Sequence, residues 1–166
     1  MKTIQYNVLR EKIENDHDHT WIFGTASQSF IGRLIRKATK TKVSHVGFLV
    51  FFFDRLWVVE MMEGAGCRVV PASNRLKNEK FVQVGRIKTD MFQIDFIRSI
   101  LADVYMVQYD MIGALLSPFI DTKTGQAFCS EWVSRKAQIQ FSTLDRGIYP
   151  SDVMEKCEYP PYQLIF

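Results

Sequence analysis

Two apolar stretches occupy the centre of the chain: residues 46–53 read Val-Gly-Phe-Leu-Val-Phe-Phe-Phe, and residues 56–62 read Leu-Trp-Val-Val-Glu-Met-Met. β-Branched and aromatic residues favour strands, and the apolar character of both faces indicates a sheet that is covered on each side. Asp54-Arg55 separates the two stretches and predicts a turn. The stretches should therefore form an antiparallel hairpin at the centre of the fold.

Sequence patterns typical of strands and helices lie on both sides of this hairpin. We expect further strands at residues 20–24, 67–70 and 81–87. We expect helices at residues 28–38, from residue 91 for about four turns, at residues 129–139 and from residue 150, with Ser27 as the N-cap of the first. Strands that precede most of the helices predict an α+β domain, in which a small antiparallel β-sheet or barrel packs against helices.

The composition indicates one globular domain over residues 1–166, with a lead-in at residues 1–19 and a C-terminal tail at residues 144–166. The net charge is +3 and no run of Lys or Arg exceeds two residues, so no nucleic-acid partner is expected. The N-terminus lacks an apolar signal segment, and the longest apolar run is too short to span a bilayer. We therefore expect a cytoplasmic protein without an integral membrane segment, and the sequence indicates no oligomeric state.

Three irregularly spaced cysteines, Cys67, Cys129 and Cys157, predict reduced thiols rather than a disulfide framework or a zinc site. Residues 16–19, Asp-His-Asp-His, have the residue types of a metal site. Alternate residues share a face only in a strand, and no Cys or third His lies nearby, so a solvated loop is favoured over a metal site. No metal and no cofactor are expected.

Cys129 is the most conspicuous candidate for chemistry. It stands where a loop, residues 121–126, gives way to a helical pattern, and the N-terminus of a helix favours thiolate over thiol. A thiolate needs a base to take its proton, and His45, at the start of the buried strand, is the best candidate. The two residues can meet across a sheet–helix interface despite their separation in sequence.

Glu60 is the candidate for the third polar group, which would orient the imidazole. A two-residue turn at Asp54-Arg55 would place Glu60 on the face of His45 but about 13 Å away at the usual rise per residue. A four-residue loop, residues 52–55, would instead pair Glu60 with Gly47 and bring the carboxylate nearer. Glu63 faces the other way unless a bulge intervenes. The turn therefore decides whether Glu60 reaches His45.

Each of these residues also has an ordinary structural interpretation. A histidine at a strand start and a cysteine at a helix start are common core residues. An acid that interrupts an apolar strand is more unusual, because burying a carboxylate without a partner costs several kcal/mol. The three residues together favour a catalytic site. We also expect Gly47 to be a substrate-binding residue, because its missing side chain would allow a close approach.

The order of these motifs resembles the permuted papain-like cysteine hydrolases, the circularly permuted NlpC-type superfamily with its lecithin–retinol acyltransferase-related branch. The matching stretches are Ser44-His45-Val46-Gly47, Val58-Val59-Glu60, Tyr109-Asp110 and Phe128-Cys129-Ser130-Glu131, within residues 20–135. The resemblance implies a permuted papain-like fold. It implies Cys129 as nucleophile, His45 as base and Glu60 as the residue that orients His45. Tyr109 is a candidate oxyanion-binding residue, and the alternative is a packing residue at a helix end.

The resulting functional hypothesis is a cysteine hydrolase or acyl-transfer enzyme, a peptidase or amidase, or an acyl hydrolase or transferase. Peptide amides of cell-wall type and lipid acyl groups are the two substrate classes that the resemblance implies. The apolar residues 111–116 either line an acyl pocket or belong to the core. The alternative is a non-catalytic binding or structural module with the same fold, in which Cys129 is no more reactive than the other two cysteines.

Overall fold

Seven strands form one sheet in the computed structural model, which describes residues 2–89, 91, 93–104, 106–108, 128–141 and 148–166. The strands are β1 (Thr3–Gln5), β2 (His19–Thr25), β3 (His45–Phe52), β4 (Arg55–Met62), β5 (Gly66–Pro71), β6 (Val82–Lys88) and β7 (Glu158–Ile165). The helices among these residues are α1 (Tyr6–Glu14), α2 (Phe30–Thr39), α3 (Ala72–Leu76), α4 (Gln93–Leu101), α5 (Cys129–Lys136) and α6 (Pro150–Glu155).

The strand order is β1-β7-β6-β2-β3-β4-β5. Only the β1–β7 pair is parallel, and the other neighbours are antiparallel. The predicted α+β class, with a small sheet packed against helices, is confirmed. The sheet is open, with β1 and β5 at its edges, rather than a barrel.

Helices cover both faces of this sheet. On one face, Phe48 of β3 packs against Phe96 of α4 and Trp132 of α5, with ring centroids 5.0 and 5.2 Å apart. On the other face, Leu49 belongs to a buried cluster that includes Leu9 of α1 and Leu76 of α3. The double coverage explains why β3 and β4 are apolar on both faces.

The segments at the two ends of the chain both join the sheet. β1 pairs with β7, and β7 in turn pairs with β6, so the residues expected as lead-in and tail supply two of the seven strands. Ser29, rather than the predicted Ser27, caps α2 by accepting a hydrogen bond from the Gly32 amide. The apolar residues 111–116 lie outside the described residues. In the part of the chain that the structure describes, no helix combines the length and apolar character needed to cross a membrane.

The central hairpin turns one residue earlier than predicted. Phe52 pairs with Arg55, and the turn residues Phe53 and Asp54 have φ values of 48° and 55°. Positive φ at both central residues is the type I′ geometry, which matches the twist of the flanking strands. The predicted turn at Asp54-Arg55 is therefore wrong, and the register that pairs Gly47 with Glu60 is the one observed.

An idealised turn should stabilise this hairpin. Phe53 is 90% exposed, so its side chain contributes little burial, and a non-glycine residue at positive φ costs about 1 kcal/mol. Replacing Phe53→Asn together with Asp54→Gly should raise the free energy of unfolding by about 1 kcal/mol, measured by urea denaturation. Phe53→Ser with Asp54→Ser is the control, because it removes the same side chains without favouring positive φ. An equal gain in the control would contradict the explanation.

Candidate active site

His45 and Glu60 meet on one face of the central hairpin. Glu60 pairs directly with Gly47, and residues two apart on a strand share a face, so His45 is the diagonal neighbour of Glu60. The His45 Nε2–H donates a hydrogen bond to Glu60 Oε2 at 2.9 Å. His45 is 5% exposed and Glu60 is completely buried, so the pair is shielded from solvent.

Cys129 is the first residue of α5, directly after the extended Phe128. The helix is fixed against the sheet by Trp132, which packs on Phe48 and donates an indole hydrogen bond to Asp103 at 2.7 Å. This placement puts the buried Cys129 side chain close enough to His45 for its charge to act on the imidazole. The structure thus brings together Cys129, His45 and Glu60 in one buried series.

Two arginines complete the surroundings of Glu60. Arg68, which lies directly opposite Glu60 in β5, donates to Oε1 from Nε at 3.0 Å and from Nη2 at 2.5 Å. The Nε of Arg75, from α3, lies 2.9 Å from Oε1 and 3.1 Å from Oε2. Arg75 also pairs with Glu79. Both carboxylate oxygens of Glu60 are therefore satisfied by cationic donors.

The sequence reasoning did not find either arginine. Arg68 could have been predicted from the sequence, because a turn centred on residues 63–65 places this isolated cation opposite the isolated acid Glu60 in two apolar strands. Arg75 gave no such signal. It depends on α3, a helix of five residues that is too short to show a period.

The electrostatics of the site favour an ionised carboxylate and a protonated imidazole. Burial alone would lower the pKa of His45, but the negative charge of Cys129 and hydrogen bonds to Cys129 and Glu60 raise it to about 9. Burial alone would raise the pKa of Glu60, but His45, Arg75 and Arg68 lower it to about 2. Near neutral pH the Glu60 carboxylate is therefore ionised and the protonated form of the His45 imidazole is favoured.

The other two cysteines have different surroundings. Burial raises the pKa of the Cys67 thiol to about 12, and the nearby charge of Asp103 adds to the effect. Burial also raises the pKa of the Cys157 thiol to about 12. All three cysteines are free, so Cys67 and Cys157 are internal references for the reactivity of Cys129.

The remaining predicted residues do not join the series. A Cβ on Gly47 would lie 2.7 Å from Phe23 Cε1 and 2.9 Å from Glu60 Cβ, so the space left by its missing side chain is filled by those two neighbours. Tyr109 lies outside the described residues.

The Asp16–His19 stretch lies away from the three residues of the series. Asp16 accepts hydrogen bonds from His19, Trp21 and Arg86 beside a cavity of about 470 Å³. Cys129, His45 and Glu60 do not line this cavity. Among the described residues, no group of three or more His, Cys, Asp or Glu side chains is arranged to hold a metal ion. Asp16 and His19 instead form an ion-pair cluster with Arg86 and Glu158.

The chain matches no protein-family model and no curated protein. It is similar in structure to the metalloprotein YiiX from Escherichia coli O157:H7, described as DUF1105, with a TM-score of 0.57 and 20% sequence identity. The similarity covers 74% of this chain and 65% of that one, so this chain corresponds to about two thirds of the length of YiiX. At this identity the similarity shows a shared fold alone.

The predicted family membership is wrong. The permuted papain-like, NlpC-type assignment predicts a match to a family model, and the similarity found is instead to a protein described as DUF1105. The motifs that suggested the assignment are two to four residues long, and their order along a chain is too weak a pattern to identify a family. The site must therefore be judged on its own geometry.

The low pKa of Glu60 predicts a specific loss of stability in acid. Its pKa is about 2 in the folded chain against an ordinary 4.5, so the ionised carboxylate stabilises the fold above about pH 4.5. That contribution, about 3 kcal/mol, is lost as the pH falls from about 4.5 to about 2. Glu60→Gln should lack this loss, so the difference in unfolding free energy between wild type and variant should shrink over that range. Parallel curves from urea denaturation at each pH would contradict the assignment.

Thr25 provides a second test of the site's surroundings. It pairs directly with His45 across β2 and β3, it is completely buried, and its Oγ1 has no hydrogen-bond partner among the described residues. Replacing the hydroxyl with a methyl group removes an unsatisfied polar atom, so Thr25→Val should raise the free energy of unfolding by about 1 kcal/mol. Thr25→Ser keeps the hydroxyl and should not. A loss of stability in Thr25→Val would mean that the hydroxyl has a partner, such as a buried water.

Proposed function

We propose that this protein is a cysteine hydrolase or acyl-transfer enzyme in which Cys129 is the nucleophile, His45 the general base and acid, and Glu60 the residue that orients His45. The observation that carries the proposal is the buried site in which Cys129 acts on the His45 imidazole, while the imidazole donates a hydrogen bond to the Glu60 carboxylate. Nucleophilic catalysis by a thiol needs a base within hydrogen-bond reach and a third group that orients the base. Cys129, His45 and Glu60 are the three side chains that we assign to these roles.

The chemistry proceeds through an acyl-enzyme. The Cys129 thiolate attacks the carbonyl carbon of an amide, ester or thioester, and a sulfur–carbon bond forms. The tetrahedral intermediate then expels the leaving group, which takes a proton from the His45 imidazolium. A water or a second acceptor, deprotonated by the now neutral imidazole, attacks the thioester and releases the acyl group together with the thiolate. The Cys129 amide N–H, in the first turn of α5, is a suitable donor to the oxyanion.

Glu60 has a positioning role in this scheme. Its hydrogen bond to Nε2 leaves Nδ1 of His45 to exchange the proton with the thiol, so one tautomer and one ring orientation are favoured. The two arginines keep Glu60 ionised, so the carboxylate accepts from His45 and does not compete for its proton. This arrangement supports a fixed imidazole rather than a freely rotating one.

Metal chemistry is the contrasting possibility, because the structurally similar YiiX is named a metalloprotein. The donor set at this site does not fit a metal ion. Arg68 and Arg75 already form ion pairs with the Glu60 carboxylate, and a metal ion placed there would be repelled by both guanidinium groups. Among the described residues, no group of three or more His, Cys, Asp or Glu side chains is placed to hold a metal ion. The proposal therefore contains no metal-dependent step.

The first test compares the reactivity of the three thiols. Competitive alkylation with iodoacetamide from about pH 5 to about pH 9, read by peptide mass spectrometry, should label Cys129 well below pH 8. Cys67 and Cys157 should react at least tenfold more slowly, since burial raises the pKa of each to about 12. His45→Ala should remove the reactivity of Cys129 at low pH. Equal labelling of the three thiols would favour a non-catalytic binding or structural module.

The second part of the test is turnover on a panel of amide, ester and thioester substrates. Cys129→Ala should reduce kcat/KM at least a thousandfold, and Cys67→Ala serves as the matched control. Since the pKa of His45 is about 9, the imidazolium that protonates the leaving group is lost above that pH, and kcat/KM should fall there. Full turnover by Cys129→Ala would overturn the proposal.

A further inference from the structure

α2 is a helix whose solvent face is cationic and apolar. No Asp or Glu occurs between Asp18 and Asp54, and all five Lys and Arg residues of that interval lie in α2 or just after it. Two of the five have contacts within the chain: Arg36 donates to Ser44 and to a backbone carbonyl, and Lys42 lies over the Phe81 ring. The other three are exposed: Arg33, Lys37 and Lys40.

These three cations have no described counter-charge. No ion pair in the described part of the chain includes any of them. Arg33 and Lys37 are four residues apart, so they lie on neighbouring turns of one helix face, and Lys40 follows one turn later. The face therefore carries positive charge that no acid among the described residues compensates.

An apolar strip runs beside this charge. Phe30 is 64% exposed and Leu34 is 40% exposed, and their spacing of four residues puts them next to each other on the helix surface. The opposite side of α2 is occupied, because Ile31 and Ile35 are buried against Phe128 and Tyr149. Exposed aromatic and aliphatic side chains beside Lys and Arg are the pattern of a helix that lies in a lipid interface.

We propose that this face of α2 docks on an anionic lipid surface. The cations would contact headgroup phosphates and carboxylates, while Phe30 and Leu34 would enter the boundary of the acyl chains. A nucleic acid would satisfy the charges but would leave the apolar strip without a partner, so the lipid surface fits both features. Each basic residue near such a surface strengthens binding about fivefold.

The docking face lies close to the candidate nucleophile. Phe128, which packs against the buried side of α2, directly precedes Cys129, so α2 and the helix that carries Cys129 are neighbours in the fold. The docking does not depend on the proposed reaction.

Co-sedimentation with vesicles tests the proposal directly. The whole chain should bind vesicles of phosphatidylcholine with about 30% phosphatidylserine more tightly than phosphatidylcholine alone, and the difference should shrink with added salt. Arg33→Glu with Lys37→Glu should weaken this binding at least tenfold. Lys77→Glu with Lys80→Glu makes the same change in net charge at exposed positions elsewhere and should leave most of the binding intact.

The apolar contribution has its own matched pair of variants. Phe30→Ser with Leu34→Ser should weaken binding to the anionic vesicles, whereas Ile94→Ser with Met106→Ser, at positions 56% and 80% exposed, should not. Cys129→Ala should bind as the wild type does, which separates a failure of docking from a failure of the proposed reaction. No binding to anionic vesicles, equal losses in the control variants, or α2-dependent binding of duplex DNA in their place would overturn the proposal.

Discussion

The structure depends on keeping one carboxylate, Glu60, ionised without any contact with solvent. Removing a carboxylate from water costs several kcal/mol, and only well-placed cationic donors offset that cost. Here the donors come from three separate elements: His45 from β3, Arg68 from β5 and Arg75 from α3. A shift of either hairpin by one residue would turn Glu60 to the opposite face and leave these donors without it. The charge therefore constrains the registers of β3, β4 and β5 together.

The same cluster allows a proton to move without changing its net charge. Apart from the thiol and the imidazole, it contains two guanidinium groups and two carboxylates, since Arg75 also pairs with Glu79. The charges of these four groups cancel. The cluster is therefore neutral overall whether the thiol and the imidazole are both uncharged or form a thiolate–imidazolium pair. The balance between the two forms then depends on local hydrogen bonds, among which the contact from His45 to Glu60 favours the imidazolium. A buried site that needed an external counter-ion would pay a desolvation cost for each transfer.

Sequence patterns predicted the elements but not all of the contacts between them. The central hairpin, the class of fold and the start of a helix at Cys129 followed from apolar runs and local signals. The turn did not, because Phe53 is a residue that propensity does not place at positive φ. The role of Arg75 could not be predicted, because it depends on a five-residue helix. The parallel pairing of β1 with β7 could not be predicted either, because it joins strands from opposite ends of the chain. Such long-range pairings follow from the packing of the complete sheet, which no local pattern records.

Because the family assignment is wrong, a function for this protein has to be inferred from the geometry of its site. The same fold can carry unrelated chemistries, so the similarity to YiiX at 20% identity shows a shared fold but does not identify a reaction. Short motifs in a given order are equally permissive, because a histidine at a strand start and a cysteine at a helix start both occur for structural reasons. The arginines are more discriminating. A carboxylate held by two guanidinium groups is a poor ligand for a cation but a stable acceptor for an imidazole, so Arg68 and Arg75 favour thiol–imidazole chemistry over a metal centre in this frame.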